Sequence, residues 1–340
     1  MAFFKKVACF TDIHFGLKGN SRVHNDDCEA FIYWFIEQAK AHGCETCIFL
    51  GDWHHHRSVT NVSTMNYTVS NIERLGKSFE NVYVIMGNHD LFYRDKREIN
   101  SMEYIRNIKN VHIVNNWLED DDTAIIPWIV EDEWKIITKM KKKYVFGHFE
   151  LPYFKMNAMV DMPDVGTIKT EHFSGCEKVF SGHFHKRQYN KNVTYIGNAF
   201  PHNYADAWDD ERGMMILDCG QEPKYINWPD MPRYRTIKIS ELLADPEKVL
   251  KPKMYVRVSL DIKISYEEAI LIRETFIDKY QLRVLQLIPE QIDRAQQPLV
   301  QVQKFDSVDQ IVLKQLEGVD SETYDKSILM AIYNNLDVNN

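Results

Sequence analysis

Val82-Tyr83-Val84-Ile85-Met86-Gly87-Asn88-His89-Asp90 is the stretch from which the fold can be read. Its first five residues are apolar, several of them β-branched or aromatic, and too few for a typical helix. They predict a buried strand. The chain leaves that strand on a glycine and presents an amide, an imidazole and a carboxylate in succession. In open α/β sheets, ligands sit just beyond the carboxyl ends of strands. Gly87–Asp90 is therefore a candidate ligand loop, weak evidence alone and stronger if other strands end the same way.

Several do. The strand over residues 5–10 ends at Thr11-Asp12-Ile13-His14, and Cys47-Ile48-Phe49-Leu50 ends at Gly51-Asp52. Tyr144-Val145-Phe146 ends at Gly147-His148, and Lys178-Val179-Phe180 runs into Ser181-Gly182-His183-Phe184-His185. If strand geometry persists beyond Phe10, Asp12 and His14 share one face. Four of the five stretches carry glycine, which permits the tight turn that exposes a side chain at a strand end. A purely structural fold has no reason to set unpaired imidazoles at so many converging loops, so the coincidence predicts one joint site. Its donors are imidazole, carboxylate and amide, with no thiolate. That set disfavours a structural zinc site and suits Mn²⁺, Fe²⁺ or catalytic Zn²⁺. The donors are too many for one tetrahedral ion, so two ions are expected. Two divalent ions also bring more charge than two aspartates cancel, which favours a phosphodiester anion and a hydroxide. Ions about 3.5–4 Å apart can clamp both the attacking and the leaving oxygen of an in-line displacement. His89, beside Asn88 on an irregular loop, is a candidate general acid for the leaving oxygen.

The chain has 340 residues, with 49 acidic against 41 basic side chains and a net charge of −8. That is not the basic balance of a typical nucleic-acid binder. If DNA is the substrate, local patches, bound metal or a partner must supply the positive field. No apolar run reaches membrane-spanning length and no signal peptide is apparent, so a cytoplasmic protein without membrane contact is expected. Six cysteines are scattered. Cys44-Glu45-Thr46-Cys47 has zinc-half-site spacing, but no second pair completes it, and a buried structural pair without disulfides is expected.

Helical periodicity predicts helices over about 26–42, with Phe31, Trp34 and Phe35 on the core stripe, and over 60–75, opened by Thr60. Further helices are predicted around 100–107 and 130–141, the last ending in the solvated run Lys139–Lys143. A longer loop spans 150–175. Short strands over 193–196, 213–218 and 224–228 suggest antiparallel closure of the sheet. Pro229 and Pro232 mark a boundary, followed by a β-α-β pattern: a strand over 255–260, a helix from a Ser265/Glu268 capping box to Tyr280, and a strand over 282–288. Beyond a polar linker (291–303), Val308, Ile311, Val312 and Leu316 form one helical stripe. Tyr324, Ile328, Leu329, Ile332, Tyr333 and Leu336 form a second. Two short helices cannot bury that much apolar surface against each other, so a domain or partner must cover it. The linker favours a partner.

The ordered motifs Asp12-x-His14, Gly51-Asp52, Gly87-Asn88-His89-Asp90, Gly147-His148 and Gly182-His183-Phe184-His185 resemble those of the calcineurin-type metallophosphoesterase superfamily. The likeness covers about the first 230 residues. Within the superfamily, the chain resembles SbcD-type DNA double-strand-break repair nucleases, especially phage-encoded recombination subunits. That closer likeness rests on Tyr195-Ile196-Gly197-Asn198, Arg212-Gly213, the β-α-β cap and the C-terminal helical pattern. The resemblance implies a four-layer α/β/β/α sandwich over 1–230, a small α/β capping, DNA-binding domain over 231–290, and a linker with helical hairpin over 291–340. It implies that Asp12, His14, Asp52 and His185 hold one ion and that Asp52, Asn88, His148 and His183 hold the other, with Asp52 bridging, usually around Mn²⁺. It further implies His89 as the proton donor and His55 at a position that handles duplex ends. The activity implied is 3′–5′ exonuclease and single-strand endonuclease on DNA, by a homodimer in complex with an SbcC-type SMC ATPase. Trp53 departs from the smaller aliphatic usual at its position; it packs beneath the site or stacks on a base, and packing is expected. His54 and His56 are read as loop residues without an assigned role. The alternative is a phosphatase or phosphodiesterase acting on a small or phosphoprotein substrate. Against it stand His55-His56-Arg57-Ser58 and Asp90, where protein phosphatases carry Arg-Gly and Glu.

Overall fold

The computed structural model describes residues 2–156, 160–166 and 168–289. All fall in one compact unit spanning 1–290. The expected linker and helical hairpin over 291–340 lie outside the described residues.

Two six-stranded sheets form the centre. The first begins with β1 (Lys6–Phe10), β2 (Thr46–Phe49), β3 (Asn81–Ile85) and β4 (Val111–Val114), all parallel. The chain then builds the second sheet from β5 (Leu118–Glu119), β6 (Thr123–Ile126), β7 (Tyr144–His148), β8 (Lys178–Gly182), β9 (Gln188–Asn190) and β10 (Val193–Tyr195). It returns to the first sheet with β11 (Gly213–Asp218), antiparallel to β1, and β12 (Lys224–Asn227). The orders are β12-β11-β1-β2-β3-β4 and β5-β6-β7-β8-β10-β9. The expected antiparallel closure therefore holds for β11 and β12. β10 lies in the other sheet, parallel to β8 and antiparallel to the edge strand β9.

Alternation along β1 explains the layers. Val7 and Cys9 face a core shared with Phe146 and Phe180 of the second sheet. Ala8 and Phe10 face the other way, against Phe31 and Phe35 of the helix Arg22–Ala41. A strand buried on both faces reads as a continuous apolar run. A third core, with Ile137, Met140, Phe149 and Phe173, covers the outer face of the second sheet. The result is the expected α/β/β/α stack, with a thin outer layer on the second sheet.

The helices differ in detail from expectation. Arg22–Ala41 starts earlier because Ser21 caps it. Asn61, not Thr60, caps Val62–Ser78, accepting the Ser63 amide at 2.9 Å. The segment near 103 makes only a 3₁₀ turn, Glu103–Ile105. Met102 and Ile105 are buried there, three residues apart, and one such turn is enough to bury them. Likewise 130–141 yields only Trp134–Ile137. Lys139–Lys143 does not end a helix: Lys142 pairs with Glu119 at 3.2 Å and Lys143 with Asp122 at 3.0 Å.

A separate three-stranded parallel sheet follows: β13 (Tyr234–Lys238), β14 (Tyr255–Leu260) and β15 (Val284–Pro289). It has its own core around Ile239, Leu242, Val256 and Leu285. The helix Tyr266–Tyr280 opens on the Ser265/Glu268 capping box. Sequence reading missed β13, which follows directly on the Pro229–Pro232 boundary. Cys44 and Cys47 are buried and free.

Candidate metal centre

The site forms where the carboxyl ends of β1, β2, β3, β7 and β8 meet. The sheets are joined there by His148 Nδ1, 2.7 Å from the Leu50 carbonyl. Strand geometry does not persist into the ligand loops: Asp12, His14, Asp52 and His183 all have left-handed backbones, with φ of 50°, 51°, 63° and 92°. Such conformations cost about 1–3 kcal/mol each and survive where surrounding contacts impose them. Two glycines show how tight the junction is. Gly51 has φ +101°, and a Cβ on Gly87 would lie 2.2 Å from Asp52 Oδ1. At Gly87 the requirement is close approach rather than a tight turn.

The seven expected donors come together in two groups that share Asp52. In the first, His14 Nε2 lies 3.9 Å from Asp12 Oδ1 and 3.7 Å from Asp52 Oδ2, and His185 Nε2 lies 3.8 Å from Asp12 Oδ1. In the second, His148 Nε2 is 3.4 Å from Asp52 Oδ2. The Asn88 side-chain oxygen is 3.1 Å from His148 Nε2 and 2.9 Å from His183 Nδ1. Asp12–His14–Asp52 and Asp52–His148–His183 each place one donor atom per residue within 4.8 Å of the others.

Two observations fit this arrangement to divalent cations. Both ring nitrogens of buried His14 lack any hydrogen-bond partner. The buried carboxylates of Asp12 and Asp52 have only imidazoles as ion-pair partners, with no Lys or Arg among the described residues. Charges this buried require compensation.

Protonation is divided. Burial holds His14 well below its usual pKa, and burial also lowers His183. His14 therefore offers a free lone pair, whereas the His183 nitrogens face Asn88 and Glu150. Burial would raise the Asp52 carboxyl, but His148, His89 and His14 outweigh it and hold it well below the carboxylate range. Burial would lower His148, yet Asp52 pulls it up to about 9, so a metal would have to displace that proton.

His89 is half-buried; its Nδ1 lies 2.7 Å from the His55 carbonyl, and its amide donates to Asp52 Oδ1 at 2.8 Å. His55 stacks on His89, ring centroids 5.4 Å apart, with a buried Nδ1 that has no partner. His54 is not a solvated loop residue: its nitrogens meet Ser101 Oγ at 2.8 Å and Thr68 Oγ1 at 2.9 Å. His56 is exposed. Trp53 packs beneath the site, fully buried and stacked on Phe15, its indole N–H donating to Thr68 at 3.1 Å.

Sequence reading gave Asp90 no role, although it lies in the opening motif. Its buried carboxylate accepts the amides of Asp52 (2.9 Å), Gly87 (3.0 Å) and His54 (3.1 Å), clamping the β2 and β3 loops together. Burial and the Asp52 charge push its pKa up to about 7. Glu150 was also missed. It accepts two bonds from Arg94, both 2.7 Å, and lies 3.5 Å from His183 Nε2.

The profile of the calcineurin-like phosphoesterase family matches residues 5–187. Exonuclease subunit 1 of Enterobacteria phage T4 is 27% identical over 228 residues, 64% of this chain and 66% of that protein. The match thus spans slightly less than two thirds of the relative's length. Among solved structures, nuclease MPE of Pseudomonas putida aligns with TM-score 0.29 and 18% identity over 53% of this chain and 62% of its own. A dimetal phosphatase of Danio rerio aligns with TM-score 0.35 and 9% identity over 62% of this chain and 91% of its own. No helix among the described residues is long and apolar enough to cross a membrane.

Proposed function

The chain belongs to the calcineurin-like phosphoesterase family, metal-dependent hydrolases of phosphodiesters, and from that premise we propose that it is a DNA nuclease. The observation that carries this reading is the pair of donor groups sharing Asp52. The 27% identical phage exonuclease subunit supports a nuclease reading. On this reading Asp12, His14, Asp52 and His185 hold one ion and Asp52, Asn88, His148 and His183 the other, with Mn²⁺ the preferred metal. A bound pair of divalent ions supplies Lewis acidity and a water acidified towards neutrality.

The chain's own residues do the rest. Asp52 fixes the spacing of the two groups, and its Oδ1 is itself held by the His89 amide. His89, oriented through Nδ1 by the His55 carbonyl, keeps its other nitrogen for the proton that the leaving oxygen takes. Thr11 Oγ donates to Asp12 at 2.7 Å and the His183 amide donates to the same carboxylate at 3.0 Å. These bonds set its angle. His55 borders the site where a duplex end would meet it. The division proposed is a nuclease domain over 1–230, a DNA-handling unit over 231–290, and an ATPase-binding segment over 291–340. The last would engage an SbcC-type SMC subunit, with the nuclease acting as a homodimer.

The test incubates the full chain with Mn²⁺ and end-labelled duplex or single-stranded DNA, beside a chromogenic phosphodiester. Expected is 3′–5′ shortening of duplex ends and nicking of single strands, both lost on chelation and restored by Mn²⁺. Turnover of the small ester with intact DNA would move the reading to a small-substrate phosphodiesterase.

A further inference from the structure

Beside the first donor group lies a histidine that the reading above leaves unused. His202 is 2% exposed, and its Nε2 has no hydrogen-bond partner. One donor atom each from His14, His185 and His202 lie within 4.8 Å of one another. The ring centroids of His14 and His185 are 5.4 Å and 5.2 Å from that of His202.

Other buried histidines nearby behave differently. His24 reaches the His14 carbonyl at 3.0 Å, and both nitrogens of His54 have hydroxyl partners. A histidine kept for packing finds partners for its nitrogens. His202 and His14 share the exception with the half-buried His55, and His202 and His14 border the same space. The His202 backbone is clamped from both sides: its amide donates to Asp206 Oδ2 at 2.9 Å, and its carbonyl accepts the Tyr234 hydroxyl at 2.8 Å. The imidazole is thus delivered to a fixed place by the loop after β10 and by β13.

We propose that His202 is a further ligand of the ion held by Asp12, His14, Asp52 and His185. The inference rests on the metal-centre reading above and extends it. Two nitrogens bound to one ion at about 2.1 Å stand at most about 4.2 Å apart, so the three donors, within 4.8 Å of one another, must draw closer together when an ion binds. The first ion then has three imidazoles against two at the second. The two positions become chemically unequal, the first favouring imidazole-preferring metals.

The decisive experiment is anomalous diffraction from crystals of the full chain soaked in Mn²⁺. Expected is a peak bonded to His202 Nε2, at a distance like those to His14 and His185. In parallel, calorimetric titration of Mn²⁺ into metal-free full chain compares wild type with His202→Leu, whose thermal melt without metal checks its folding. Expected is at least a tenfold weakening of one site and an unchanged second site. An ion in the first group with His202 Nε2 outside its coordination sphere overturns the proposal, as does a folded His202→Leu with both affinities intact. If His202→Leu does not fold, the wild-type peak decides alone. Absence of any ion from both groups would instead overturn the metal-centre reading itself.

Discussion

At the scale of single residues, the proposed function separates groups that would touch the reaction from groups that hold them. His89→Ser removes the proposed proton donor but no proposed ligand. Cleavage should fall by about 10²–10⁴-fold, while calorimetric Mn²⁺ binding stays unchanged; loss of metal would reassign His89 to the ligands. Asp90 is the opposite kind of residue. Asp90→Ala strands three buried amides, those of Asp52, Gly87 and His54. At about 1–3 kcal/mol per unsatisfied group, a loss of about 3–9 kcal/mol is expected in urea unfolding. Trp53→Ala should cost about 3–5 kcal/mol through its cavity, without the selective loss of DNA binding that a base-stacking role would give. The chemically distinctive side chains were legible because a histidine or aspartate at a strand end stands out against apolar neighbours. Asp90, Glu150 and His202 were not. The first works through backbone amides, the second from the loop after β7, and the third follows neither a strand nor a glycine.

At the scale of elements, the five strand–loop junctions were readable because apolar runs and glycines are local signals. What those glycines do was not, since it depends on which loop lies opposite. Gly87 borders Asp52, and a Cβ there would come 2.5 Å from the Asp52 amide nitrogen as well as striking its carboxylate. Gly87→Ala should therefore displace Asp52 from both donor groups at once. The expected result is weakening of both metal sites together, measured by calorimetry, with an overpacking cost of about 1–3 kcal/mol in the melt. Weakening of one site alone would show that Asp52 is not shared. The helix from Ser265 was legible because its capping box is a four-residue signal. The helices expected near 103 and 135 shrank to single turns because tertiary packing leaves so few apolar side chains there to bury. Periodicity over a short window does not report that limit.

At the scale of the molecule, pairing between β1 and β11 and the position of the three-stranded sheet depend on contacts hundreds of residues apart, which local patterns do not carry. Arg283, just before β15, forms a bidentate pair with Asp27 of the helix Arg22–Ala41. Lys18 bonds the Tyr234 hydroxyl, which in turn donates to the His202 carbonyl. The helix bearing Asp27 also holds the first ligand loop: Asn25 accepts the Gly16 amide at 2.8 Å and His24 meets the His14 carbonyl. The small sheet is thus fastened to the same helix and loops that position the first donor group. The Asp27 side chain is 5% exposed and that of Arg283 19%, so the pair is largely shielded and its loss leaves a buried carboxylate. Removing one partner of a fully buried pair costs about 3–5 kcal/mol, and partial exposure of the arginine lowers that to about 2–3 kcal/mol. Arg283→Met should lower stability by that amount and speed amide exchange in β13–β15 before it does so in β1–β4. Asp27→Asn combined with Arg283→Met should cost less than the two single changes summed, because both remove one interaction. Unchanged exchange in the small sheet would mean that its apolar core, not this ion pair, fixes its position.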